Sequence, residues 1–204
     1  MNISQLKKFM QPHFEIFEGL DVYFWIAGGA IKDFFIGKNL KDYDFFFASH
    51  EDREIAQKRL LESGAQKVKD LPRGEKYIYK DNYYDMLCWS GSDESLANAK
   101  TPEEMIKLFD FTIGMAALDN KGEFVCHSDF ENHIKSKILV RNSIQDRQPR
   151  VNNRRLLKYI KDGFTIDSEN LLKWLEDQEA TFEYRHNINK NKTKQLNKKC
   201  NMLI

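Results

Sequence analysis

Two aspartates stand at alternate positions at the head of an apolar strand: Asp42-Tyr43-Asp44, followed at once by Phe45-Phe46-Phe47. Alternate residues of a strand share a face, so Asp42 and Asp44 point one way while Tyr43 and Phe45 point into a core. Side-by-side carboxylates repel and are unfavourable without a cation between them. At a strand end such a pair can simply be solvated. The functional alternative is a divalent metal, because hard oxygen donors on a rigid strand are what Mg²⁺ takes.

Two further features weigh on that choice. Gly28-Gly29 close the apolar run "DVYFWIA" and open a short helix, "AIKDFFIG", which Gly37 ends. At such a strand-to-helix turn, backbone N–H groups favour phosphate. Asp85 lies in "YYDML", flanked by apolar residues on the second arm of a predicted hairpin. A neighbouring strand could bring it beside Asp42 and Asp44. Gly-Gly alone is weak evidence; Gly-Gly, then Asp-x-Asp, then an isolated strand Asp is strong.

The remaining pattern places these residues in an α/β head. A helix is expected around Ser4–Glu18 and another over Glu51–Ser63, with strands at "YDFFFAS" and "QKVK". "DLPR" and Gly74 mark a loop, and "KYIYKDNYYDMLCW" alternates about an Asp81-Asn82 turn. "TPEEMIKLF" opens with Thr101, Pro102 and Glu104, the residues of a capped helix start. "DFTIGMAALDNKGEFVC" is a second hairpin, turning at Asn120-Lys121-Gly122. From about Arg147 the pattern becomes helical. The fold class expected is a mixed sheet flanked by helices (α/β, α+β), followed by a small helical part. The divisions expected are a head at 1–140, a helical neck at 141–186 and a basic tail at 187–204.

With 204 residues, 41% of them hydrophobic, the chain can bury a substantial core. Lys and Arg number 32 against 31 Asp and Glu, so net charge names no partner. Its distribution says more. No acid follows Arg185, and "RHNINKNKTKQLNKKC" is either a solvated end or a nucleic-acid-binding tail. Three distant cysteines, Cys88, Cys126 and Cys200, fit free thiols in a reducing compartment. Neither a signal peptide nor an apolar run long enough for a bilayer is visible, so a cytoplasmic location without membrane contact is expected.

These motifs resemble the polymerase-beta-type nucleotidyltransferase superfamily, and within it the bacterial branch of tRNA CCA-adding enzymes and poly(A) polymerases. "GGAIKDFFIGKNLKDYD" is similar to that branch's Gly-Gly-x-Val-Arg-Asp element with its closing Asp-x-Asp. "FDFTIGMAALDNKGEFV" resembles its Arg-Arg-Asp-Phe-Thr-Ile-Asn motif, and "RRLLKYIKDGFTID" its helical neck. The departures are Lys32 for the motif Arg, Leu108-Phe109 for the Arg pair before Asp110, and Gly114 for Asn. No clean match to the base-reading Glu-Asp-x-x-Arg element exists near Arg154 and Arg155, and the family enzymes are much longer.

The resemblance implies two Mg²⁺ ions, with Mn²⁺ as a substitute, held by Asp42, Asp44 and Asp85. Asp42 and Asp44 would bridge both ions and Asp85 would bind the one near the acceptor hydroxyl. Gly28, Gly29 and Lys32 would meet the triphosphate, and Asp110 the nucleotide sugar. Arg154 and Arg155 are further nucleotide-binding candidates, in a basic cluster that is otherwise the outer face of the neck. Asp33 is expected to be structural. The implied activity is transfer of a nucleoside monophosphate from a triphosphate to a hydroxyl, with pyrophosphate released. An RNA 3′ end, tRNA-like, is the acceptor implied. A protein or small-molecule hydroxyl, or a catalytically silent RNA-binding derivative, are the alternatives.

Weaker signals carry blander readings. Cys126, His127 and His133 lack a fourth ligand at zinc spacing. His13 and His50 are expected at the surface or at caps, and the aromatic runs are expected to pack a core rather than stack on bases.

Overall fold

A computed structural model describes residues 2–89, 98–142 and 153–176. These fall into two compact units that meet between Ser136 and Lys137.

The first unit is built on one seven-stranded mixed sheet. Its strands are β1 (Phe24–Ala27), β2 (Asp42–Phe47), β3 (Gln66–Leu71), β4 (Gly74–Tyr79), β5 (Asn82–Cys88), β6 (Ala116–Asp119) and β7 (Phe124–Cys126). They are ordered β3-β4-β5-β2-β1-β6-β7. Every pairing is antiparallel except that of β2 with β5. The helices are α1 (Ile3–Phe14), α2 (Gly29–Phe35), α3 (His50–Glu62), α4 (Pro102–Ile106) and α5 (Phe130–Ser136). Each expected head element is present, as a mixed sheet flanked by helices.

Local chemistry explains where the elements begin. Asn2 and Gln5 cap α1 reciprocally, each side chain accepting the other's backbone N–H at 2.9 Å. Thr101 Oγ1 accepts from Glu104 N at α4, while the Glu104 carboxylate accepts from Lys100 N, one residue before the cap. The expected helix through Glu18 ends as α1 at Phe14, and Glu15–Phe17 continues as a 3₁₀ turn. The loop expected around "DLPR" shrinks to a tight link. At Gly74 an added Cβ would lie 1.8 Å from the Met86 carbonyl oxygen, so only glycine allows that approach of β4 to β5.

The β4–β5 turn falls one residue before its expected place. Tyr79 pairs with Asn82, and Lys80 and Asp81 take φ of 46° and 62°. Two residues at positive φ are what a two-residue hairpin loop needs to match strand twist.

The two faces of the sheet differ. On one, Phe24, Phe45, Phe47, Tyr43 and Tyr84 are buried and pack against rings of α1 and the turn after it. The aromatic runs thus pack a core, as expected. On the other, Trp25, Ala27, Phe46 and Ala117 form a second apolar cluster with Met105 and Ile106 of α4. That cluster covers only part of the face.

The second unit contains α6 (Asn153–Lys161) and a further helix over 168–176. Leu139 N donates to Thr165 O at 2.7 Å and Thr165 N to Lys137 O at 2.8 Å. Asn170 accepts from Arg141 N at 2.7 Å, and Trp174 is buried beneath the Arg141 guanidinium. The segment expected as a basic tail, 187–204, lies outside the described residues.

Candidate active site

The parallel pairing of β2 with β5 decides what the three aspartates can do. Asp44 is the direct register partner of Asp85, and Asp42 stands two residues back on the same face. The next strand places Lys76 opposite Asp85, and β3 places Lys69 opposite Lys76. One row across the sheet therefore reads Lys69, Lys76, Asp85, Asp44. A bulge between Lys67 and Lys69 turns Lys69 onto this face, because Lys67 pairs with Tyr77 on the other.

Lys76 Nζ lies 2.7 Å from Asp42 Oδ1, to which it donates a hydrogen bond, and 2.8 Å from Asp85 Oδ1. Asp42 exposes 63% of its side chain, whereas Asp85 and Lys76 expose only 14% and 15%. Burial raises the Asp85 carboxyl above its ordinary range, although Lys76 pulls it down. Burial alone would lower the Lys76 ammonium, but pairing with Asp42 and Asp85 holds it above its ordinary value.

Among the described residues, no three His, Cys, Asp or Glu side chains already converge as a metal cage. The donor set nevertheless fits a hard divalent ion. Three carboxylates share one face of paired strands, and the buried Asp85 Oδ1 is balanced there by a cation, the Lys76 ammonium at 2.8 Å. Lys76 is the residue that sequence reasoning missed. Its signal was the hairpin register, which a turn at Asp81-Asn82 misreads by putting Ile78 opposite Asp85.

The phosphate-side candidates have mixed positions. Gly28 holds φ 74° at the start of α2, donates to Ala116 O at 3.0 Å and accepts from Lys32 N at 3.1 Å. The Phe109 ring covers it, 2.8 Å from where a Cβ would stand. At Gly29 an added Cβ would meet nothing, so the open side of the turn is there. Lys32 is buried, with no exposed side-chain surface, and forms an ion pair with Asp33. Asp33 thus has an ion-pair partner in Lys32.

Asp110 is buried just before the 3₁₀ turn Thr112–Gly114. Leu108 and Phe109, where the resemblance has an Arg pair, pack instead against the apolar cluster under α4. Arg154 and Arg155 are exposed on α6, in the second unit.

The zinc and histidine readings resolve simply. His133 Nδ1 pairs with Thr112 Oγ1 at 2.8 Å, and His127 Nδ1 accepts from Asp129 N at 3.1 Å. His13 is half-buried: Nδ1 lies 2.8 Å from the Tyr84 hydroxyl, and the ring meets Tyr43 at a 37° tilt with centroids 4.0 Å apart. The cause is the aromatic core, whose rings enclose it from below.

A protein-family model described as Gabija anti-defense 2 family protein matches residues 3–137. The chain belongs to the Gabija anti-defense 2 family. The curated Gabija anti-defense 2 of Bacillus phage SPbetaL7 is 29% identical over 149 residues, covering 72% of this chain and 35% of that protein. The chain thus spans about a third of that relative's length.

Among solved structures, a CCA-adding enzyme with CTP matches with a TM-score of 0.64 and 16% identity over 91% of this chain and 48% of that one. The Bacillus stearothermophilus CCA-adding enzyme in complex with CTP gives 0.58 and 18% over 79% and 41%. The Thermotoga maritima CCA-adding enzyme complexed with tRNA gives 0.59 and 14% over 88% and 42%. The fold of this anti-defense family member is therefore that of the nucleotidyltransferase head of CCA-adding enzymes. The sequence-level likeness to those enzymes holds as fold, while the family is Gabija anti-defense 2. No helix among the described residues is long and apolar enough to cross a membrane.

Proposed function

We propose that this protein is a metal-dependent nucleotidyltransferase that moves a nucleoside monophosphate from a triphosphate to a hydroxyl, and that it counters Gabija by doing so. The observation carrying this reading is Asp44 beside Asp85 across parallel strands, with Asp42 on the same face. Asp42 and Asp44 would hold two Mg²⁺ (or Mn²⁺) ions, and Asp85 the one near the acceptor. Bound ions would supply charge stabilisation to the attacking and leaving oxygens of an in-line displacement.

The chain's own residues position the reactants. The three carboxylates fix where the α-phosphorus sits, and the open side of the turn at Gly29 receives the triphosphate oxygens through backbone N–H groups. Gly28 shapes that turn from beneath Phe109. Asp110, just before the short 3₁₀ turn, is the group for the nucleotide sugar. Lys32, buried against Asp33, supports α2.

The acceptor is an RNA 3′ end, a reading supported by structural relatives solved with tRNA. A second reading is a protein or small-molecule hydroxyl, in particular one belonging to Gabija. It is favoured by family membership and by the apolar Leu108-Phe109 in place of an Arg pair. The test is incubation with each α-labelled triphosphate, Mg²⁺, and extract from cells with and without Gabija. Label on RNA supports the first acceptor and label on a Gabija-dependent protein or metabolite the second. Label on nothing rejects nucleotidyl transfer.

A further inference from the structure

Lys76 has no part in the chemistry above, yet its ammonium stands between two of the three carboxylates. It reaches Asp42 at 2.7 Å and Asp85 at 2.8 Å from the adjacent strand, with 15% of its side chain exposed. An ammonium and a divalent ion repel, so they do not share those oxygens. A lysine carries its charge on a flexible four-carbon stem and can move it without moving the strand. An outward resting place already exists: Nζ is 5.4 Å from the centroid of Tyr83, whose ring is on the same face and 38% exposed.

We propose that Lys76 is a tethered counter-ion of this site: it neutralises Asp42 and Asp85 while no divalent ion is present, and it leaves them, toward Tyr83, when one binds. Lys76 thereby sets how tightly the site takes metal. The inference rests on the reading of Asp42, Asp44 and Asp85 as metal-holding groups. Its role is positional, because Lys76 acts through the carboxylates.

The experiment is direct Mn²⁺ binding to the full chain, followed by the electron paramagnetic resonance of free Mn²⁺ without nucleotide. Wild type is compared with Lys76→Met, Lys76→Arg and Asp85→Asn. Lys76→Met should bind Mn²⁺ at least about tenfold more tightly, since one positive charge is removed from beside the ion. Lys76→Arg keeps the charge and should bind no more tightly than wild type. In EDTA, Lys76→Met should melt below wild type and recover more on adding Mn²⁺. Lys76→Gln replaces it if the Met variant does not fold.

Unchanged or weaker binding by the neutral variant, with binding abolished in Asp85→Asn, would overturn the counter-ion role and leave the metal reading standing. No binding by either wild type or the neutral variant would overturn both.

Discussion

Asp42 is exposed, whereas Asp44 and Asp85 are half-buried, yet all three should matter alike to turnover. Asp42→Ala, Asp44→Ala and Asp85→Asn should each lower kcat for nucleotidyl transfer by at least about a hundredfold, the scale of losing one preorganised charge contact. All three should keep a wild-type circular-dichroism spectrum, because none fills the apolar core. A variant with full turnover would remove that residue from the site. His13 carries a separate prediction. Burial lowers its pKa to about 4, so between that value and its ordinary 6.5 the unfolded chain binds a proton that the native state does not. Stability should therefore fall as pH drops through this window. Melting at pH 7 and pH 5 should show a smaller loss for His13→Gln, and an equal loss would reject His13 as the source.

Strands and turns show what was legible in the sequence. The Asp-x-Asp strand, the Gly-Gly turn and the capped start of α4 were readable because each rests on local spacing. The adjacency of β2 and β5 is not legible, since parallel partners are joined by no short turn and leave no local signal. The hairpin turn was misplaced by one residue because Asn82 looks like a turn residue, whereas Lys80 does not. The shift preserved which face each residue occupies but changed the partner of Asp85, and so hid Lys76. Lys80 and Asp81 both sit at positive φ, where side chains are strained. Replacing them with Asn-Gly should stabilise the protein by about 1 kcal/mol. The check is the thermal midpoint, which should rise; an unchanged or lower value would reject the turn assignment.

At the scale of the whole molecule, the family match over residues 3–137 coincides with the sheet-bearing unit. The carboxylate site belongs to that unit alone. The Lys-rich stretch after Arg185 is remote from it in sequence, and its charges would act on phosphates without reading bases. For an RNA acceptor, deleting Asn187–Ile204 should raise the RNA KM, flatten its dependence on salt and leave kcat little changed. Steady-state transfer at two salt concentrations measures this. An unchanged KM and salt slope would move the acceptor from RNA to a protein or small-molecule hydroxyl.

The parallel join of β2 to β5 also has a consequence for how the chain is made. Asp42 and Asp44 leave the ribosome about forty residues ahead of Asp85, a delay of roughly 2–8 s at 5–20 residues per second. During that delay one edge of the strand "DYDFFF" has no partner, because β5 does not yet exist. An open strand edge ending in three phenylalanines is the kind of segment that recruits copies of itself, and like charges at the strand's start hold such copies apart. The same two carboxylates proposed to hold metal in the finished fold should therefore also keep nascent copies apart.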